Sequence, residues 1–349
     1  MLRTEAEILA HLSRRVPDAR PAGEPQRLTG GHLNDVWRIP AQPRSLIVKS
    51  APPYVAALRS VPLDPDRIRF EAQSLELLGP EGLLASLCSE ALRPPIAIDF
   101  DPDVHVLVME DFGALADLGA HLRRGNGSSD WGDRLGRFVG ALHAATAGDE
   151  TLANLFNNSS VQQSRLTVQY RAVRRLLAES GFAAPPEVAR RAAELGMRLT
   201  APGACLTMGD LWPASILVDR DRLRLIDWEF AHYGQPAQDV AHLLGHLWMH
   251  AQQARDATGV AERLAQAFLT AYLAAVASVR PTLLDARFVP DCAVHMGAEI
   301  LMRVIGPFKP GYLYEHLHTD SRPVRDAVGF SIESMRAGSN AWLRPALQI

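Results

Sequence analysis

Apolar positions along the chain change from a strand-like to a helical spacing near residue 110. Before that point, short apolar runs bounded by glycine, proline and acidic residues predict strands, as at Ser45–Lys49 and His105–Met109. After it, apolar residues three and four apart predict helices. The pattern therefore predicts an α+β chain with a strand-rich part over residues 1–109 and a mainly helical part over residues 110–349.

The same spacing gives bounds for individual elements. A strand pair is predicted at Ala97–Phe100 and His105–Met109. Helices are predicted over residues 5–15, 62–79, 134–145, 161–180, 186–199, 238–249, 260–279, 290–305 and 322–336.

A hairpin in the second part carries acidic residues at its base. The apolar runs Ile216–Val218 and Leu223–Ile226 flank a polar segment that suits a tight turn. Asp210 precedes the first strand, Asp227 ends the second, and Glu229 follows two residues later. Such a hairpin is expected to project the carboxylates of Asp210 and Asp227 from one end, close enough to share a ligand.

These three acids suggest phosphoryl transfer. Residues i and i+2 of an extended chain lie on the same side, so Asp227 and Glu229 can face one cation. Clustered carboxylates suit Mg²⁺, and Asp210 could then accept a hydroxyl proton. The alternative is that the acids cap and solvate a surface hairpin.

Upstream residues could hold phosphates. Gly30 and Gly31 lie between two strand-like runs, where backbone N–H groups could cover a nucleotide, although glycine pairs more often make hairpin turns. Lys49 ends the next strand at the distance expected of a phosphate-binding lysine. Glu71, on the following predicted helix, could pair with Lys49 or simply be a surface acid.

Bulk composition limits the classes of partner. The chain has 349 residues, 47% of them apolar, and a formal charge of −3, which gives no electrostatic case for nucleic acid or an anionic membrane. Three widely spaced cysteines indicate neither a disulfide framework nor a zinc site. With no signal-like segment and no long apolar run, a cytoplasmic protein without a membrane span is expected.

The residues around the hairpin resemble the aminoglycoside phosphotransferase and choline kinase-like superfamily. That family's catalytic loop, His-Gly-Asp-x-x-x-x-Asn, corresponds to Met208–Ser215, and its metal motif corresponds to Ile226–Glu229. The resemblance implies a protein-kinase-like two-lobe fold, with a small antiparallel-sheet N-lobe and a large helical C-lobe. It also implies ATP and Mg²⁺, with Asp210 catalytic, Asp227 on the metal, and Asp239 holding the catalytic loop.

Two departures point to one branch of that superfamily. Met208 replaces the usual histidine, and Ser215 replaces a metal-binding asparagine. The 5-methylthioribose kinases resemble this chain in having that serine and an Asp-x-Glu motif, which implies that Glu229 and Ser215 share the metal. The resemblance extends to further positions, namely the glycine loop with Gly30, Gly31 and Asn34, the phosphate lysine Lys49 with Glu71, and the adenine-binding hinge Met109, Glu110 and Asp111.

The acceptor is the least constrained part of this interpretation. Trp212 and Arg303 are candidate substrate contacts, but a packing tryptophan and an ion-pairing arginine are common alternatives. The region Asn154–Gln169 departs from methylthioribose kinases, as does the single arginine at 303, which is paired with a second arginine in that branch. The expected substrate is a hydroxyl of a small polar metabolite, such as a methylthioribose-like sugar.

Other functions stay open at this point. An aminoglycoside or amino-alcohol kinase is one alternative, and a nucleotide-binding pseudokinase is another. His242, His246 and His250 recur every four residues and could form a zinc site, although a polar helix stripe is the preferred interpretation. The sequence does not separate ATP from GTP, or a monomer from a homodimer.

Overall fold

The computed structural model describes residues 4–28, 33–55, 58–253 and 259–348. The chain forms two compact units, which are described separately below. The first comprises Met1–Leu115 together with Leu217–Ala231, and the second comprises Ala116–Ile216 together with His232–Ile349.

Strands dominate the first unit. They are β1 (Arg20–Pro21), β2 (Gln26–Leu28), β3 (Asp35–Ile39), β4 (Ala41–Gln42), β5 (Leu46–Ser50), β6 (Tyr54–Val55), β7 (Leu58–Pro62), β8 (Leu92–Arg93), β9 (Ala97–Asp101) and β10 (Val106–Glu110). Two helices accompany them, α1 (Glu5–Arg15) and α2 (Arg67–Leu78).

The main sheet of this unit is antiparallel, with the order β2-β3-β5-β10-β9. Side chains alternate across β5, so Leu46 and Val48 enter a core that they share with Ile8 and Leu12 of α1. Helix α1 begins with a capping box between Thr4 and Glu7, as its sequence favours. Lys49 lies next to Val48 in β5 and therefore points to the opposite face of the sheet.

The second unit contains most of the helices. They are α3 (Leu118–Arg123), α4 (Ser129–Thr146), α5 (Glu150–Leu155), α6 (Ser159–Arg165), α7 (Val173–Glu179), α8 (Pro186–Arg198), α9 (Pro236–Ala251), α10 (Val260–Val279), α11 (Phe288–Val304) and α12 (Arg322–Ala337). The remaining strands of the chain are β11 (Ala116–Asp117), β12 (Cys205–Thr207), β13 (Ile216–Asp219), β14 (Arg222–Leu225) and β15 (His232–Gly234).

The predicted hairpin is confirmed. Strands β13 and β14 are hydrogen-bonded neighbours, and β14 also pairs in parallel with β8. Asp227 follows β14 with a φ of 65°, a left-handed conformation that is uncommon outside glycine and tolerated by aspartate. The backbone thus turns sharply where the hairpin ends.

Helices α4 and α10 pack unusually closely because three glycines line the contact. Gly132, Gly136 and Gly140 recur every four residues, so they share one face of α4. A Cβ at Gly136 would overlap the carbonyl oxygen of Phe268 on α10. Only hydrogen at these positions lets the two backbones approach so closely.

Three predicted helices differ from the structure, and one of them, expected over residues 134–145, begins five residues earlier at Ser129. The helix expected over residues 161–180 is interrupted by a π-helical turn at Leu166–Tyr170, in which Arg171 N–H donates to the Leu166 carbonyl over 2.9 Å. Apolar spacing does not reveal a change from i→i−4 to i→i−5 bonding. The helix expected from residue 62 begins at Arg67, because β7 continues to Pro62.

Among the described residues, α10 is the one helix long and apolar enough to cross a bilayer. Buried core helices have the same length and composition, so this property is weak evidence for a membrane span. Leu264, Phe268 and Tyr272 are fully buried, as their spacing predicts.

The cysteines Cys88, Cys205 and Cys292 are free thiols. This agrees with the absence of a disulfide framework in the sequence.

Candidate active site

The first unit brings Lys49, Glu71 and Asp227 together. Lys49 Nζ lies 2.6 Å from Glu71 Oε2 and 2.8 Å from Asp227 Oδ1. Lys49 comes from β5, Glu71 from α2 and Asp227 from the end of the hairpin. The predicted Lys49–Glu71 pair is therefore present, and the lysine also holds the predicted metal ligand.

Charge in this group is unbalanced. Lys49 and Arg67 face three carboxylates, those of Glu71, Asp227 and Glu229, which leaves one surplus negative charge. Burial, together with the charges of Asp227 and Glu229, raises the pKa of Glu71 to about 7 against the lowering effect of Lys49. Burial acts to lower the pKa of Lys49, but the three carboxylates raise it above its ordinary value. The group is therefore suited to receive an additional cation.

Asp227 is the accessible member of the group. About half of its side chain, 48%, is exposed, compared with 3% for Lys49 and 1% for Glu71. Within the described part of the chain, its hydrogen bond falls on Oδ1. The other oxygen is available as the kind of hard ligand that Mg²⁺ prefers.

Glu229 is engaged in a buried network instead. Its Oε1 accepts a hydrogen bond from Asn34 Nδ2 at 2.7 Å, and its Oε2 accepts one from Arg67 Nε at 2.7 Å. The assignment of Glu229 as a metal ligand stays a prediction, and these contacts make Asp227 the stronger candidate.

Arg67 uses all five of its N–H donors. Besides Glu229, it donates to the carbonyls of Pro52, Asp64 and Leu33 and to the Asn34 amide oxygen, over 2.8–2.9 Å. The residue is 1% exposed. It therefore ties the chain after the glycine loop to the start of α2 and to the Asp-x-Glu motif.

Gly30 and Gly31 lie outside the described residues. Asn34, at the end of that loop, is nearly buried and bonds to Glu229 and Arg67. Its predicted contact with the nucleotide stays a prediction.

The predicted hinge lies at the end of β10. Met109 is buried, whereas Glu110 forms a bidentate pair with Arg93 at 2.6 and 2.9 Å. Asp111 accepts two hydrogen bonds from Arg38, at 2.8 and 3.1 Å. The side chains of Glu110 and Asp111 thus fix the backbone of this segment, whose contact with a base stays a prediction.

In the second unit, Asp239 holds the loop that carries Asp210. Its carboxylate accepts hydrogen bonds from the N–H groups of Met208 and Gly209, both at 2.8 Å. Gly209 has a φ of 82°, which few other residues adopt readily. Asp239 lies in the first turn of α9, which begins at Pro236, and it performs the bracing that the resemblance implies.

Ser215 braces the other end of the same loop. Its hydroxyl donates to the Trp212 carbonyl at 2.8 Å and accepts from the Trp212 N–H at 3.2 Å. The side chain is fully buried. Its predicted contact with a metal stays a prediction, and these bonds favour a structural role.

Two cationic or protonatable side chains converge on one oxygen of Asp210. Arg165 Nη2 lies 2.8 Å and His242 Nε2 lies 3.3 Å from Oδ1. Burial acts to raise the pKa of Asp210, but His242, Arg165 and Arg303 lower it to about 2. Asp210 is therefore an ionised carboxylate with about a fifth of its side chain exposed.

The three histidines of α9 share one face, as predicted, but that face is buried. His242, His246 and His250 are each at most 3% exposed. Glu299 on α11 lies beside two of these histidines. The possible metal-binding atoms of His242, His246 and Glu299 all lie within 4.8 Å of one another. His246 Nε2 lies 3.1 Å from Glu299 Oε1. The same oxygen accepts from Arg303 Nε at 2.8 Å, so a metal ion would have to displace existing bonds.

Arg303 and Trp212 lie in this same group. The guanidinium carbon of Arg303 is 4.5 Å from the Trp212 ring centroid and 5.2 Å from that of Tyr312. Their predicted contact with a substrate stays a prediction.

Sequence reasoning missed several of the residues that surround the two aspartates. Buried arginines such as Arg67 and Arg165 look like surface residues in a sequence, because their partners are distant in the chain. The histidine spacing on α9 was the one signal that pointed to His242. Glu299 is four residues before Arg303, and that i, i+4 pairing could have identified it.

Comparisons with known proteins identify the family of this chain. A family model described as the phosphotransferase enzyme family matches residues 24–281. The 4-hydroxytryptamine kinase of Psilocybe cyanescens is 26% identical over 293 residues, covering 78% of this chain and 80% of that protein. A methylthioribose kinase of Bacillus pumilus is 28% identical over 245 residues, covering 63% and 59%.

The fold is likewise that of known kinases. The crystal structure of a choline kinase from Cryptosporidium parvum superposes with a TM-score of 0.50 over 95% of this chain and 96% of that one, at 12% identity. The predicted α+β, protein-kinase-like class is therefore confirmed. Because the family match spans most of the chain, the protein belongs to the phosphotransferase enzyme family and is a small-molecule kinase.

Proposed function

We propose that this chain is an ATP-dependent kinase that phosphorylates a hydroxyl group of a small polar molecule. The observation that carries the proposal is the state of its two aspartates. Asp227 and Asp210 each have Oδ1 held by a cationic partner, Lys49 and Arg165 respectively. Each carboxylate is thus oriented while part of it stays accessible.

Asp210 would orient and deprotonate the acceptor hydroxyl. The acceptor oxygen would then form a bond to the γ-phosphorus, the bond to the ADP oxygen would break, and the proton would pass to Asp210. With its low pKa, Asp210 is ionised and ready to accept a hydrogen bond at neutral pH.

The residues of the first unit would bind the nucleotide and its metal. Lys49, oriented by Glu71, would contact the phosphates, and Asp227 would bind Mg²⁺ through its accessible oxygen. The surplus negative charge of this group fits a divalent cation. When bound, Mg²⁺ would neutralise charge that develops on the phosphates.

Charges near Asp210 favour an acceptor without several positive charges. Asp210 and Glu299 are matched by Arg165 and Arg303, so the group has no surplus of acid. A polycationic aminoglycoside would gain little there. This supports a neutral sugar such as a methylthioribose-like compound over an aminoglycoside.

A hydroxylated aromatic amine is a second candidate acceptor. The similarity to 4-hydroxytryptamine kinase covers more of both chains than the similarity to methylthioribose kinase. The ring of Trp212, two residues after Asp210, lies 6.3 Å from that of Tyr312 between centroids, and the two rings could contact a planar acceptor.

The test is ADP release in the presence of Mg²⁺ across a panel of acceptors. The panel contains 5-methylthioribose, 4-hydroxytryptamine, choline and an aminoglycoside, each assayed with the unmodified chain and with Asp210→Asn. We expect turnover with one neutral or aromatic acceptor. The Asp210→Asn variant should lose on the order of 10²–10⁴ in turnover while its ATP affinity stays nearly the same.

Either of two results would contradict the proposal. One is an Asp210→Asn variant that turns over normally. The other is nucleotide binding without ADP release for every acceptor, which would indicate a pseudokinase.

A further inference from the structure

Arg165 and His242 approach the same oxygen of Asp210 from different helices. Arg165 lies at the end of α6 and also donates to the Gly209 carbonyl, next to Asp210 in the loop. His242 lies on α9, one turn after Asp239. Among the described residues, both contacts with the carboxylate fall on Oδ1, which leaves Oδ2 for an acceptor.

His242 is itself held by a buried series of hydrogen bonds. Its Nδ1 lies 3.0 Å from His295 Nε2, and His295 Nδ1 lies 2.6 Å from the Tyr170 hydroxyl. Burial lowers the pKa of His295 well below its ordinary value, which favours a neutral ring with a single N–H.

When both imidazole rings are neutral, one arrangement of hydrogen atoms satisfies the contacts between Tyr170, His295 and His242. Tyr170 donates to His295, His295 donates to His242 Nδ1, and the proton of His242 then lies on Nε2, which is 3.3 Å from Asp210 Oδ1 but off the line of a hydrogen bond. Tyr170, His295 and His242 therefore place an N–H group next to the ionised carboxylate of Asp210.

The π-helical turn after α6 explains how Arg165, Gln169 and Tyr170 all reach this group. Its i→i−5 bonding changes the angular spacing of side chains after Arg165. Arg165 reaches Asp210, Gln169 donates to Glu299 at 2.9 Å, and Tyr170 reaches His295. Single π-turns of this kind occur frequently at functional sites.

We propose that Arg165 and His242 are positioning residues that hold Oδ1 of Asp210, so that Oδ2 receives the acceptor hydroxyl. The inference rests on the proposed role of Asp210 as the base. In this proposal both residues act through Asp210 Oδ1 and not on the acceptor or the phosphate. Their removal should therefore lower kcat and change its pH dependence, with little effect on the KM for ATP.

Substitutions at His242 separate its two contacts. In His242→Gln the side-chain amide can occupy the place of Nε2 and donate to Asp210. In His242→Asn the shorter amide occupies the place of Nδ1 and retains only the contact with His295. We expect His242→Asn to lower kcat about 10- to 100-fold and His242→Gln to retain most of it.

Arg165→Gln provides an independent test. It removes the charge and the link to Gly209, and we expect a similar loss of about 10- to 100-fold in kcat. Arg175→Gln, at an exposed residue of α7, is the matched control and should leave kcat unchanged. Arg165→Lys serves if Arg165→Gln does not fold, because it keeps the charge but not the two-point contact.

The pH profile distinguishes positioning from general structural damage. The groups that face Asp210 are Arg165 from α6, His242 from α9 and Arg303 from α11, and Glu299 and His295 of α11 lie behind His242. Without these neighbours, the partly buried Asp210 should bind a proton at higher pH. The kcat of Arg165→Gln and His242→Asn should then fall as the pH decreases from 8 to 5.5, whereas that of the unmodified chain should not show this fall.

The outcomes separate this inference from the proposed function. If Arg165→Gln and His242→Asn keep the unmodified kcat and pH profile while Asp210→Asn is inactive, the positioning role is wrong and the proposed function stands. If Asp210→Asn is active, the proposed base itself is wrong. If His242→Gln and His242→Asn lose kcat equally, or the chain carries stoichiometric zinc that His242→Asn releases, His242 does not act through a hydrogen bond to Asp210.

Discussion

Arg67 shows how a single buried side chain can connect segments that lie far apart in the sequence. Its five donors reach the chain after the glycine loop, the residues around α2 and Glu229. An arginine has five N–H groups in a fixed plane, whereas a lysine has three on one atom. The position therefore requires arginine for geometric reasons, beyond its charge.

Replacement of this residue should be costly. We expect Arg67→Lys to lower the free energy of unfolding by about 3 kcal/mol, because buried acceptors lose their donors and Glu229 loses its best-aligned partner. Urea unfolding of the full chain measures this. Arg69→Lys is the matched control, since Arg69 is about 39% exposed and forms a surface ion pair with Asp66. It should cost well under 1 kcal/mol. Equal losses for the two variants would contradict the role given to Arg67.

The four residues Lys49, Glu71, Asp210 and Asp227 could be singled out from the sequence because each lies on or beside a recognisable strand or helix. The residues that contact these four in the folded chain could not be identified from the sequence. The hydroxyl of Ser215 and the carboxylate of Glu229 look like metal ligands in a motif, but each makes bonds with groups that only the folded chain brings near. The sequence shows which residues carry an oxygen atom suited to a metal. Contacts in the folded chain determine whether that oxygen is already hydrogen-bonded.

At the scale of elements, most helices and strands follow from apolar periodicity. Helix α10 has the predicted bounds, and the hairpin forms where its turn residues indicate. The break at Leu166–Tyr170 was missed because a π-turn changes backbone bonding without changing composition. The glycines of α4 were likewise not recognised as a packing face, although their spacing of four was visible.

Two glycine substitutions should have opposite effects on stability. Gly136→Ala should lower the free energy of unfolding by about 1–3 kcal/mol, because the new methyl group overlaps backbone atoms of α10. Gly329→Ala, on the exposed side of α12, meets nothing within 4 Å and should raise it by about 0.5–1 kcal/mol through helix propensity. Thermal unfolding of both variants tests this. A stabilising Gly136→Ala would show that α4 and α10 are farther apart than described.

At the scale of the whole molecule, buried histidines should make the fold sensitive to acid. Burial lowers the pKa of His246 to about 4 and that of His250 to about 3, whereas an unfolded histidine titrates near 6.5. Below pH 6.5 the unfolded chain thus binds more protons than the folded chain. Stability should fall as the pH decreases from 6.5 to 4, by up to about 1.4 kcal/mol per pH unit for each such histidine.

A variant that lacks one of the buried histidines isolates this effect. The difference in thermal midpoint between pH 7 and pH 5 should be smaller in His250→Leu than in the unmodified chain, because one fewer proton is taken up on unfolding. Parallel pH profiles for the two proteins would show that His250 does not contribute.

Cytoplasmic location and the monomeric or homodimeric state stay predictions.

The discontinuous make-up of the first unit has a consequence for synthesis on the ribosome. Residues up to Leu115 emerge first, but Leu217–Ala231, with Asp227 and Glu229, follow only after the intervening segment of the second unit. At ordinary translation rates that delay is roughly 5–20 s. During this interval Arg67 lacks its carboxylate partner, so the nascent N-terminal segment cannot reach its final charge balance until Glu229 has been synthesised.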